Sequence, residues 1–162
     1  MIFNRFGSFI GLLAWGALFV SVARAEHTRP TYPTVVGVEA LGRASSASVF
    51  FDRMLSDDFG AGFGFGGGAI SMVPVYGNYY FQSAQGSIFA TAGVSLVLDL
   101  DRARGQQTAS ANWVVNESVI PLFGLGYENR SDQGYLFRAT GYLAYANQTF
   151  KPWAGISLGY AF

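Results

Sequence analysis

The 162-residue sequence contains no cysteine. Disulfide staples and thiolate metal sites are thereby excluded. Charge is scarce as well. Only 12% of the chain is Asp, Glu, Lys or Arg, against about 25% in an ordinary water-soluble domain. Ten basic and ten acidic residues cancel, so nothing draws the chain electrostatically toward nucleic acid. Long apolar runs are missing too. Beyond residue 25 none approaches the ~20 residues that a membrane helix needs. Yet the chain is 51% hydrophobic and 17% aromatic, with 21 glycines. A membrane β-barrel reconciles these facts, because its strands carry apolar residues in alternation rather than in blocks.

The N-terminus reads as an export signal. Asn4 and Arg5 precede an apolar stretch from Phe9 to Val20, and Ala23-Arg24-Ala25 supplies a small-x-small cleavage site. Residues 1–25 are therefore assigned as a signal peptide and residues 26–162 as one barrel domain.

Eight segments alternate with the period of two that places successive side chains on opposite faces. They are Thr34–Gly42, Ala47–Leu55, Phe59–Gly66, Met72–Phe81, Ile88–Leu100, Val119–Tyr127, Gly134–Tyr145 and a last strand ending at Phe162. In that last strand Ala154, Ile156, Leu158, Tyr160 and Phe162 share one face, while Gly155, Ser157, Gly159 and Ala161 share the other. The predicted fold class is all-β, an eight-stranded antiparallel up-and-down transmembrane barrel. Joins after even-numbered strands are short, and the one long connection, Asp101–Ser118, follows an odd-numbered strand. Short turns belong to the periplasm and long loops to the exterior, so an even count sets this loop outside. Tyr79, Phe81, Tyr127, Tyr135, Tyr160 and Phe162 are expected to form one interfacial aromatic girdle, with Phe150 and Trp153 at the other.

The inward positions include Glu39, Arg43, Asp52, Asn78, Glu128 and Arg138. An eight-stranded lumen is about wide enough to be filled by its own side chains. Buried charge is costly unless paired. Arg43 and Arg138 are thus expected to neutralise Glu39, Asp52 and Glu128 in a lumenal network. A catalytic acid pair or an ion pathway is the competing reading, and an acid pair needs an accessible pocket. Gly62–Gly67 matches the dinucleotide pattern G-x-G-x-x-G, but these glycines continue a strand and open no helix, as that motif requires. The single histidine, His27, falls in the N-terminal tail, where it has no companion ligands and no serine to activate. No catalytic, cofactor or metal residues are assigned. The loop residues Trp113, Val114 and Val115 form a small apolar cluster that either meets a surface partner or caps the barrel mouth.

The segments MVPVYGNYYF, PLFGLGYENR, GYLFRATGY and PWAGISLGYAF resemble those of small Gram-negative outer-membrane barrels. The architecture is similar to the transmembrane domain of outer membrane protein A and to the OmpX-like barrels. The resemblance implies a place in the cell outer membrane, among lipid and lipopolysaccharide. It also implies that the assembly machinery reads the terminal strand through Ile156, Leu158, Tyr160 and Phe162. Lipid-modifying barrels use a histidine with a serine near the outer leaflet, and this sequence offers none there. The expectation is a non-enzymatic structural or surface-interaction barrel, with a lipid-modifying enzyme and a narrow channel as alternatives.

Overall fold

The computed structural model describes residues 31–44, 46–67, 71–98 and 117–162. The expected export signal, His27 and Trp113–Val115 lie outside these residues. Eight strands follow one another: β1 (Thr34–Ala40), β2 (Ala47–Met54), β3 (Phe59–Gly67), β4 (Met72–Tyr80), β5 (Gly86–Val97), β6 (Val119–Arg130), β7 (Tyr135–Ala146) and β8 (Thr149–Ala161). Each pairs antiparallel with the next, and β8 returns to β1 to close the barrel. Closure removes the free edges that would invite aggregation. The last residue completes the seam, where Thr34 N donates to Phe162 O at 3.1 Å and Phe162 N donates to Thr34 O at 2.8 Å.

The wall is apolar outside. Val36, Val38, Val49, Phe63, Phe65, Val75, Phe123, Leu125, Leu143, Ile156 and Leu158 are all exposed. Their strand neighbours Glu39, Ser48, Asp52, Tyr76, Asn78, Thr91, Glu128 and Arg138 are buried. A water-soluble barrel has the opposite sense, so the surface suits hydrocarbon. Inward glycines on β3 and β6 leave room for rings from neighbouring strands. A Cβ on Gly126 would stand 2.6 Å from Phe89 Cζ and 2.6 Å from Ala139 O.

One end of the barrel carries both ends of the strand sequence and the turns 55–58, 81–85 and 131–134. Tyr79, Phe81, Tyr127, Tyr135, Tyr160 and Phe162 ring this terminus end, all facing outward. Tyr135 and Tyr160 meet edge-on with centroids 5.7 Å apart. The opposite, long-loop end bears the connections 41–46, 68–71, 98–118 and 147–148. Asn147 and Gln148 both have positive φ, 51° and 61°, the conformation of a two-residue type I′ hairpin whose twist matches the strands.

Strand ends shift by a few residues from the sequence expectations, and three differences bear on the girdles and the lumen. Trp153 is not in the outer girdle. It faces inward and packs on the apolar cluster at the long-loop end, leaving Phe150, whose ring is tilted 57° against Tyr145 at 5.1 Å, on the outside. β1 stops at Ala40, because Leu41 adopts φ 56° and breaks the ladder. β6 runs on to Arg130, which places that residue's guanidinium in the lumen.

Candidate functional site

The lumen is built in three tiers. At the long-loop end Ala44, Met72, Val97, Ile120, Leu122, Ala144 and Ala146 form an apolar cluster under Trp153. At the terminus end Val35, Phe50, Leu136 and Ala161 form another, covered by Tyr32. Between them lies a polar column of three cations (Arg43, Arg130 and Arg138) and three carboxylates (Glu39, Asp52 and Glu128), all buried. The charges balance, as burial demands.

Arg138 is the hub of the lower half. It stands on β7 directly across from Glu128 on β6. Its Nη2 lies 2.7 Å from Asp52 Oδ2 and 2.7 Å from Glu128 Oε2. Its Nε donates to the same Glu128 oxygen at 3.1 Å. Tyr80 Oη donates to Glu128 Oε2 at 2.9 Å, and Tyr76 Oη donates to Asp52 Oδ1. Phe50 and Phe89 flank the guanidinium at 5.4 and 5.2 Å. Arg130 reaches Glu128 Oε1 at 3.1 Å and donates to Tyr32 O at 2.8 Å, tying the N-terminal approach to the column.

The upper half is organised by the β1–β2 connection, which folds into the barrel mouth instead of standing clear of it. Gly42 O accepts from Trp153 Nε1 at 3.2 Å, and Arg43 O accepts from Ser95 Oγ at 2.6 Å. Arg43 N donates to Glu39 Oε2 at 2.9 Å. Glu39 Oε1 also accepts from Tyr142 Oη at 2.6 Å and Ser157 Oγ at 3.2 Å. The Arg43 side chain lies over the Tyr76 ring, 3.7 Å from its centroid, with Tyr142 at 5.5 Å and Glu39 at 3.8 Å.

The structure thus brings all five expected lumenal charges inside, in two groups joined through Tyr76. Arg43 gets there from a loop and not from a strand. The strand parity missed Arg130, whose inward phase follows from Glu128 two residues earlier. It also passed over Tyr142, which shares the parity of Arg138 and Thr140. Ile156, Leu158, Tyr160 and Phe162 lie in a row on the outer face of β8 and at its end. The loop cluster Trp113, Val114 and Val115 lies outside the described residues.

Chemically, the column is a set of matched ion pairs. One guanidinium bridges Asp52 and Glu128, so these carboxylates are not set apart as an acid and a base. The lumenal Ser95 hydroxyl donates to the Arg43 carbonyl, and the Ser157 hydroxyl donates to a Glu39 carboxylate that Tyr142 Oη and Arg43 N also hold. Among the described residues no group of three or more His, Asp or Glu side chains is placed to hold a metal ion. The glycines at 62, 64 and 67 all belong to β3, and the next described element is the strand β4 and not the helix that would receive a phosphate.

No protein family and no curated protein matches the sequence. Solved structures do match in shape. The N-terminal β-barrel domain of Pseudomonas aeruginosa OprF superposes with a TM-score of 0.56 at 13% identity, over 80% of this chain and 96% of that one. A de novo designed transmembrane β-barrel gives 0.53 at 14% identity, over 80% and 95%. At such identities the likeness is one of fold: the chain is a closed eight-stranded antiparallel β-barrel of the transmembrane kind.

Proposed function

We propose that the protein is an integral barrel of the bacterial outer membrane with a structural or surface-interaction role and no catalytic activity. The observation that carries this reading is the inverted wall. Large apolar side chains cover the outside, while Glu128, Arg130 and Arg138 are buried at the centre. The export signal expected in residues 1–25 and the apolar outer face of β8 support delivery to that membrane, with Ile156, Leu158, Tyr160 and Phe162 offered to the assembly machinery. The terminus end then faces the periplasm and the long loop faces outside, where Trp113, Val114 and Val115 meet a surface partner or lipopolysaccharide. Apolar packing at both ends of the lumen supports a barrel that does not conduct.

Cell fractionation with a boiled-versus-unboiled gel tests this reading. A mature-size outer-membrane band that shifts on boiling is expected. A soluble band without a shift overturns it. Lipid A mass profiles with and without the protein test the absence of lipid-modifying activity, and identical profiles are expected.

A further inference from the structure

Among the described residues, Arg43 is the one lumenal arginine whose guanidinium makes no hydrogen bond at any of its three nitrogens. It is nonetheless fully enclosed, 2% exposed. What holds it is a face and a charge: the Tyr76 ring at 3.7 Å, the Tyr142 ring at 5.5 Å and the Glu39 carboxylate at 3.8 Å. Aromatic faces with one carboxylate are the elements that recognise an organic cation. The receptor half of this arrangement is held by hydrogen bonds that do not involve the guanidinium. Tyr142 Oη and Ser157 Oγ fix Glu39 Oε1, Tyr76 Oη is fixed by Asp52, and all five residues stand on strands. The cation half arrives on a connection pinned by three contacts: Ser95 Oγ to Arg43 O, Trp153 Nε1 to Gly42 O, and Arg43 N to Glu39.

We propose that Glu39, Tyr76 and Tyr142 form a cation-binding site in the mouth-side half of the lumen, and that Arg43 occupies it as an internal ligand. The site takes a monovalent organic cation of guanidinium size when the Arg43 side chain is removed or withdrawn. Several features set the ligand class. A flat guanidinium matches stacking on one ring, and the single carboxylate matches a single positive charge. An anion is rejected by Glu39. A divalent metal lacks the further oxygen ligands it would need.

The test is chemical rescue of Arg43→Ala in the full-length protein, folded into lipid vesicles. The variant is titrated with methylguanidinium at millimolar concentrations, well below denaturing levels. The readouts are the temperature at which the unboiled gel band is lost and the fluorescence of Trp153 beside the site. A ligand that binds only the folded form raises the midpoint in proportion to the logarithm of its concentration above the dissociation constant. The expected result is a rising midpoint in Arg43→Ala, a much smaller response in wild type, and no response in the double variant Arg43→Ala/Glu39→Gln. If Arg43→Ala does not fold alone, the yield of heat-modifiable protein with methylguanidinium present during folding becomes the readout. No rescue, rescue equal to that of wild type, or rescue that persists without the Glu39 charge overturns the proposal.

Discussion

Removing the Arg138 charge should destabilise the barrel in a way that only one of its two carboxylate partners can repair. In Arg138→Met, Asp52 loses its only ion pair among the described residues and keeps the Tyr76 hydroxyl. Glu128 retains Arg130 at 3.1 Å and the Tyr80 hydroxyl at 2.9 Å. Breaking a buried pair by deleting one partner costs about 3–5 kcal/mol, most of it from the stranded charge. Here the stranded charge is Asp52. Adding Asp52→Asn should therefore recover about 2 kcal/mol or more, since the remaining Glu128–Arg130 pair is balanced. Adding Glu128→Gln should recover nothing, because it leaves both Asp52 and Arg130 uncompensated. The assay is urea unfolding and refolding in lipid vesicles, followed by tryptophan fluorescence and the unboiled gel shift. A loss under about 1 kcal/mol for Arg138→Met would refute a desolvated ion-pair hub. Equal repair by the two second-site changes would refute the partition of charge between Asp52 and the Glu128–Arg130 pair.

Three further outcomes follow from local geometry. Gln148→Gly should stabilise the barrel by about 0.5–1 kcal/mol in the same urea assay, because Gln148 sits at φ 61° in the β7–β8 turn, where a Cβ is strained. Gly126→Ala should cost about 1–3 kcal/mol or block folding, since the new Cβ meets Phe89 and the Ala139 carbonyl at 2.6 Å. On the proposed outer-membrane reading, Phe162→Ala should slow assembly into that membrane, measured as accumulated unfolded precursor in pulse-chase samples. Its unfolding midpoint after refolding in vitro should move little, because only the backbone of Phe162 closes the seam and its ring faces outward.

The fold was legible because each barrel strand has one apolar and one polar or small face, so sequence parity maps directly onto inside and outside. Val36, Val38, Glu39, Asp52, Phe123, Arg138 and Leu158 all lie on the faces that parity assigns them. Parity fails where the ladder ends. β8 begins at Thr149, five residues before its alternation becomes visible, since Pro152 and Lys151 interrupt the apolar series and proline cannot donate to a ladder. Trp153 was assigned to the girdle from residue type, yet its odd number places it with Gly155 and Ser157 on the inner face.

Arg43 shows a deeper limit. Counting by twos from Glu39 puts it inside, which is where it lies, but the count passes through Leu41, whose side chain is exposed. The inward position comes instead from a turn at Leu41 that carries Gly42, Arg43 and Ala44 into the mouth, held by Ser95 and Trp153 from distant strands. Those contacts are non-local, and no spacing within residues 39–46 encodes them. The same holds for the column as a whole. The carboxylates could be counted from the sequence, but Asp52 and Arg138 are 86 residues apart and meet only because closure sets β2 and β7 across the lumen from each other. Strand parity selects which residues face the lumen. The partners they find there are decided by the circumference, and this is why the matched pairs, and the internal ligand at Glu39, appear only once the barrel is closed.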